Sequence, residues 1–113
     1  MKIMIPLSGG LLTPHFGHCQ EFVLIEVEKG TGNITSSENL VPPPHEPGVL
    51  PRWVAEQGTD LLIAGGLGQK ARKILEDNDV RVITGAPSQT PEAVVKLWQG
   101  GEIREEDNRC INN

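Results

Sequence analysis

Aromatic residues are scarce in this chain. Only 4% of its 113 residues are aromatic, and none is tyrosine. Hydrophobic residues still make up 37% of the sequence, so valine, leucine, isoleucine and alanine must fill the interior. A core of aliphatic side chains suits a layered α/β domain, and the length fits one such domain.

Positive charge, long apolar runs and cysteine are scarce as well. Ten Lys and Arg face 15 Asp and Glu and form no basic stripe, so no nucleic-acid partner is predicted. No apolar run approaches the ~20 residues that span a bilayer, and MKIMIPLSGG predicts a strand rather than a signal peptide. We therefore expect a cytoplasmic protein with no membrane partner, in which Cys19 and Cys110 are free thiols or metal ligands.

Turn residues divide the rest of the chain into short strands and helices. The predicted strands are residues 2–7, 22–28, 33–40, 59–66 and 79–86, and the predicted helices are residues 49–57, 67–78 and 90–101. Four prolines within residues 41–48 predict an ordered loop there. This order predicts a three-layer α/β/α domain with a five-stranded mixed sheet over residues 1–101, followed by a polar C-terminal tail, 102–113.

The stretch TPHFGHC after the first strand contains possible metal ligands. His15, His18 and Cys19 supply imidazole and thiolate groups, which suit zinc, copper and iron. The alternative is that Pro14 and Phe16 anchor the loop while both histidines face solvent.

Two further residues are possible ligands outside that stretch. His45 lies in the proline-rich loop, which would present its side chain at a low entropic cost, or it is a surface histidine beside Glu46. Cys110 is a further ligand or a spare thiol.

Two glycine-rich turns follow strands. Ser8, Gly9 and Gly10 follow the first strand, and AGGLG, with Gly65, Gly66 and Gly68, follows the fourth. Turns of this kind expose backbone N–H groups that bind anions, and neighbouring strands would place both turns at one sheet edge. The alternative is that the glycines of the second turn permit close packing of the backbone.

Known catalytic and nucleotide motifs are missing from the sequence. It has neither the Lys-Ser/Thr of a P-loop nor G-x-G-x-x-G, and it lacks the G-x-S-x-G elbow of hydrolases. The predicted central strands carry no set of convergent carboxylates for a two-metal nuclease. These absences disfavour catalysis.

The motifs MKIMIPLSGG, TPHFGHC, PPHEPG and DLLIAGGLGQKARKIL together resemble the dinitrogenase iron-molybdenum cofactor-binding family, over roughly residues 1–101. The resemblance implies a ribonuclease H-like α/β/α fold and non-enzymatic carriage of a metal–sulfur cluster of molybdenum with iron or copper. It also implies metal contacts from His15, His18, Cys19 and His45, and backbone contacts from Ser8, Gly9, Gly10, Gly65, Gly66 and Gly68. Two departures are His18, where the family often has Arg, and NRCINN, where a subgroup has Asn-x-Cys-Asp-His.

Two other functions remain open on the sequence. In the first, the chain would be an adaptor or regulatory domain for a partner protein, such as a scaffold-type P-loop ATPase or a cofactor-accepting protein. Alternatively, the glycine-rich turns bind phosphate or a nucleotide, although neither turn has the expected lysine.

Overall fold

The computed structural model describes residues 1–44, 46 and 48–103, with every side chain in that range except that of His18. The strands are β1 (Lys2–Ser8), β2 (Leu11–Leu12), β3 (Glu21–Val27), β4 (Ile34–Leu40), β5 (Leu61–Ile63) and β6 (Arg81–Ile83). The helices are α1 (Val49–Glu56), α2 (Gln69–Asp77) and α3 (Pro91–Gln99).

The strands form one mixed sheet in the order β4-β3-β1-β5-β6. Strand β3 is antiparallel to β1, and β4 is antiparallel to β3. Strands β5 and β6 run parallel to β1, so the carboxyl ends of β1, β5 and β6 share one edge of the sheet. The predicted mixed α/β architecture is confirmed, with β4 at the predicted edge.

Alternating side chains of β1 divide the core between the two faces of the sheet. Ile3 and Ile5 share a buried cluster with Val94 of α3. Met4 points to the other face and shares a cluster with side chains of α1 and α2, including Val54. Helices therefore cover both faces, which gives the three predicted layers.

Local sequence signals account for the ends of α3. The hydroxyl of Thr90 accepts a hydrogen bond from the backbone N–H of Ala93 at 3.4 Å, as the N-cap residue of a helix does. Pro91 occupies the first turn, where its missing N–H costs no hydrogen bond. Gly100 is the C-cap residue, as the sequence predicted.

The structure differs from the prediction by one added strand and two shortened ones. Gly9 and Gly10 both have positive φ, which fits a two-residue hairpin turn and returns the chain as β2 alongside β1. Strands β5 and β6 have three residues each. Beyond Ile63, the backbone of Ala64 and Gly65 still forms hydrogen bonds with Ile83 and with Gly85 and Ala86 in the loop after β6. No helix in the described ranges is long and apolar enough to cross a membrane.

Candidate functional site

The loop that contains TPHFGHC leaves and rejoins the carboxyl end of β1. The N–H of Thr13 donates to the carbonyl of Pro6, and the N–H of Gln20 donates to the carbonyl of Leu7, both at 3.0 Å. These two bonds hold the ends of the loop at adjacent residues of the central strand. The loop therefore stands at the edge where β5 also ends.

Phe16 fixes the middle of this loop to the protein. Its side chain is 6% exposed and belongs to the cluster beneath α1 and α2. Its ring meets Phe22 edge-on at a centroid distance of 5.8 Å, and Phe22 in turn packs on Trp53 at 5.2 Å. His15, by contrast, is exposed. The loop thus buries its phenylalanine and presents its first histidine to solvent.

Gly65 and Gly66 permit this loop to approach the turn after β5. A Cβ atom on Gly65 would lie 2.8 Å from the Cα of Pro14, and one on Gly66 would lie 2.8 Å from the carbonyl oxygen of Pro14. Both distances are too short for any side chain, and both contacts are with backbone atoms that cannot rotate away. Close packing of the backbone, the alternative explanation for these glycines, therefore accounts for both Gly65 and Gly66.

A cleft of about 400 Å³ opens where the loop meets the start of α2. One wall is formed by residues 14–17 and the other by residues 66–68 with Ala71. Gly68, the N-cap residue of α2, has no side chain with which to cap the helix. The first N–H groups of a helix have no partner within it and carry a partial positive charge. The cleft therefore places His15 beside the N-terminal end of α2, an arrangement that suits an anion.

The other glycine-rich turn lies apart from this cleft. Gly9 and Gly10 form the tip of the β1–β2 hairpin, and none of Ser8, Gly9 and Gly10 lines the cleft. Three residues of β-like chain separate Gly10 from Thr13, a distance on the order of 10 Å. The structure thus brings Gly66 and Gly68 to the cleft. Ser8, Gly9 and Gly10 lie instead at the β1–β2 hairpin.

Cys19 is buried in the apolar cluster beneath α1 and α2. It is 4% exposed and is a free cysteine. Burial raises the pKa of its thiol from 9.0 to about 11, and a backbone hydrogen bond offsets part of that increase. A metal-bound cysteine is a thiolate, and burial in an apolar cluster disfavours that charged form. This environment favours a packing role for Cys19 over the predicted metal contact.

The structure does not assemble a metal-ion site from the side chains it describes. Within that set, no group of three or more His, Cys, Asp or Glu is placed to hold a metal ion. The His18 side chain, His45, Cys110 and residues 104–113 of the predicted tail lie outside the described part of the chain. Their predicted roles stay predictions.

Sequence reasoning did not identify the apolar part of the cleft. Pro14, Leu67 and Ala71 line it beside the predicted residues. A usable signal was the i, i+3, i+4 spacing of Ala71, Ile74 and Leu75, which places Ala71 on the apolar side of the helix.

Comparisons with known proteins identify relatives that match most of the chain. A family model described as "Dinitrogenase iron-molybdenum cofactor" matches residues 1–101. An uncharacterized protein of Methanocaldococcus jannaschii is 28% identical over 106 residues, which cover 91% of this chain and 89% of that protein.

Two solved structures show the same fold at low sequence identity. The apo form of the orange protein from Desulfovibrio gigas superposes with a TM-score of 0.77 at 22% identity, covering 94% of this chain and 92% of that one. A putative dinitrogenase from Methanocaldococcus jannaschii superposes with a TM-score of 0.76 at 12% identity, covering 95% of each chain.

Proposed function

This chain belongs to the dinitrogenase iron-molybdenum cofactor family, and we propose that it binds and carries an anionic metal–sulfur cluster without catalysing a reaction. The proposed cluster contains molybdenum with iron or copper and is cargo rather than a resident cofactor. The observation that carries the proposal is the cleft at the carboxyl edge of the sheet, which His15 lines together with Gly68 and Ala71 at the start of α2. Family membership supports the class of cargo.

The donor set of the cleft fits a cluster better than a bare metal ion. A bare zinc ion in a structural site needs four protein ligands, and His15 is the one strong metal ligand among the described residues of the cleft wall. A preassembled cluster already carries its own sulfides, which accept hydrogen bonds from N–H groups. Backbone donors at the start of α2, with one imidazole, match that requirement.

The apolar lining also suits carriage of such a cluster. Phe16 and Leu67 line the cleft beside the polar groups. Apolar walls limit the access of water to a bound cluster, and this lowers the local dielectric around its charge. Hydrogen bonds from the backbone become stronger in that environment.

Anaerobic uptake by the purified apo-protein tests this function. The probes are tetrathiomolybdate with copper, ferrous iron with sulfide, and zinc alone, each followed by desalting, visible absorption and elemental analysis. We expect stoichiometric uptake of a coloured cluster that is lost in His15→Ala. The matched control is Ser37→Ala, a substitution on the exposed edge strand β4, which should bind as the unchanged chain does.

A second variant tests the role of Cys19. We expect Cys19→Ala to retain the cluster, because the Cys19 side chain is buried and does not line the cleft. Loss of uptake in a folded Cys19→Ala protein would instead make this residue a ligand. If the unchanged chain retains no cluster, the proposal is wrong.

The alternative is that the chain is an adaptor for a partner protein. One observation favours it: Leu11, at the projecting β1–β2 hairpin, is 42% exposed. An adaptor would stay colourless in the uptake experiment and would still bind its partner, and Leu11→Ser would weaken that binding. A cluster carrier would also need an accepting protein, so partner binding by a coloured protein would fit both roles.

A further inference from the structure

Strand β4 presents one open edge of the sheet. Among the described residues, no strand pairs with the side of β4 that faces away from β3. Its side chains are exposed except for that of Leu40, which is half-buried. Edge strands usually prevent pairing with Lys, Arg, Pro or a bulge, and β4 has none of these three residue types. Its bulge lies at its first residues, opposite Glu26 and Val27, and leaves Ser36–Leu40 regular.

The hydrogen bonds of β3 show to which side each of its backbone groups points. The N–H of Val27 donates to the carbonyl of Met1 at 2.8 Å, on the side of β1. The carbonyl of Glu26 accepts a bond from the hydroxyl of Thr35 at 3.2 Å, on the side of β4. Because backbone groups alternate between the two sides of a strand, the odd-numbered residues of β3 bond to β1 and the even-numbered residues bond to β4.

This alternation identifies the free backbone groups of β4. Ser36 and Glu38 lie opposite even-numbered residues of β3, so their N–H and C=O groups point to β3. Ser37 and Asn39 lie opposite odd-numbered residues, so their N–H and C=O groups point away from the sheet. The open edge therefore offers two donors and two acceptors at the spacing that an added strand requires.

The β3–β4 hairpin is acidic along this edge. Residues 21–41 contain four Glu and one Lys. Glu26 and Glu38 are exposed, and the register places them diagonally on one face of the two strands, ~7–8 Å apart. Like charges at this distance repel each other. A basic side chain on a strand beside β4 would offset that repulsion, whereas a second copy of this acidic edge would add to it.

We propose that the open edge of β4 binds an extended, basic segment of a partner protein by adding it to the sheet as a strand. The backbone groups of Ser37 and Asn39 bond to the segment, and the Glu38 carboxylate selects Lys or Arg on the face that it shares. Val41, which directly follows β4 and is 81% exposed, offers an apolar contact at one end of the segment. Strands β3 and β1 separate this edge from β5, so the inference does not rest on the proposed cargo of the cleft.

Amide NMR on the purified chain tests the open edge itself. In dilute free chain, we expect rapid exchange with solvent for the amides of Ser37 and Asn39 and slow exchange for those of Ser36 and Glu38. Millimolar Val-Thr-Lys-Thr-Lys-Thr-Val peptide should shift the signals of Ser37 and Asn39 and slow their exchange. Slow exchange of these two amides in the free chain, whether it persists on dilution or reveals pairing with a second copy, would overturn the inference.

Two substitutions distinguish strand addition from general attraction between charges. Ser37→Pro removes one outward N–H and leaves the bonds to β3 in place, so we expect a folded chain that binds the lysine peptide roughly fivefold more weakly. Ser37→Ala keeps that N–H and is the matched control, with binding equal to that of the unchanged chain. Glu38→Lys should weaken binding of the lysine peptide about threefold and strengthen binding of Val-Thr-Glu-Thr-Glu-Thr-Val.

Two further results would contradict the proposal. Equal affinity of the unchanged chain for the lysine and glutamate peptides would overturn the assignment of a basic partner. Absence of any shift at Ser37 and Asn39 with either peptide at millimolar concentration would overturn strand addition at this edge. Both results would leave the proposed cluster binding standing.

Discussion

Gly65→Ala is the substitution that most directly tests how the loop and the β5 turn fit together. The φ of Gly65 is not in the left-handed region, so alanine meets no backbone strain there. The added Cβ would lie 2.8 Å from the Cα of Pro14 and 3.2 Å from the carbonyl oxygen of Thr13. An ordinary contact of this kind is about 3.5–4.0 Å, so the loop must move by roughly 1 Å. Overpacking of this sort lowers the free energy of unfolding by about 1–3 kcal/mol.

Gly17→Ala is the matched control for this substitution. Nothing lies within 4 Å of a Cβ built on Gly17, and its φ is also ordinary. Both variants remove a glycine from the unfolded chain, which stabilises a protein by about 0.4–1 kcal/mol. The difference between the two variants therefore isolates the cost of the contact with Pro14.

Urea unfolding followed by tryptophan fluorescence measures that difference. We expect Gly65→Ala to unfold at lower urea than Gly17→Ala, with the slope m unchanged. We also expect weaker cluster uptake, since the displaced loop carries His15. A difference below about 0.5 kcal/mol between the two variants would refute the packing argument.

Three further predictions each concern a single side chain. Thr90→Ala should lower the free energy of unfolding by about 1 kcal/mol through loss of the bond from Ala93, and Thr90→Ser should restore most of it in urea titrations. Phe22→Ala should cost about 3–5 kcal/mol and shift the emission of Trp53, whose ring packs on Phe22; an unchanged emission maximum would contradict that contact. Burial raises the pKa of Cys19 to about 11, above its value of 9.0 in the unfolded chain, so the unfolded state loses this proton first as the pH rises. Stability should therefore fall by roughly 1 kcal/mol between pH 9 and 10, and an equal pH dependence in Cys19→Ala would show that the thiol is not its source.

Most of the fold could be predicted because its signals are local. A short apolar run predicted β1, and the glycines of the 28–33 turn predicted the β3–β4 hairpin. Thr90 followed by Pro91 predicted the start of α3. Strand β2 was missed because Leu11–Leu12 has only two residues and therefore shows no periodicity. It forms because β5 ends early and leaves the edge of β1 at Leu7 and Ser8 open for pairing.

The candidate site was only partly predictable. Its glycine-rich turn and its histidine were recognised, and the motifs in order indicated the family that the comparison over residues 1–101 confirms. The same glycines fit both anion binding and close packing, and the sequence left these alternatives open. The buried position of Cys19 was equally undetermined, because a residue in an irregular loop has no period that assigns its side chain to a face.

The sequence by itself determined the order of the helices and of every strand except β2, the ends of α3 and the family, since each depends on residues close together along the chain or on motifs in a fixed order. Tertiary structure alone decided which predicted groups meet. Gly65 packs close to Pro14 across about fifty residues of chain, Gly9 and Gly10 do not line the cleft, and Cys19 is buried in the core. Contacts of this kind depend on how distant segments pack, and packing is fixed by the shape and volume of the whole core.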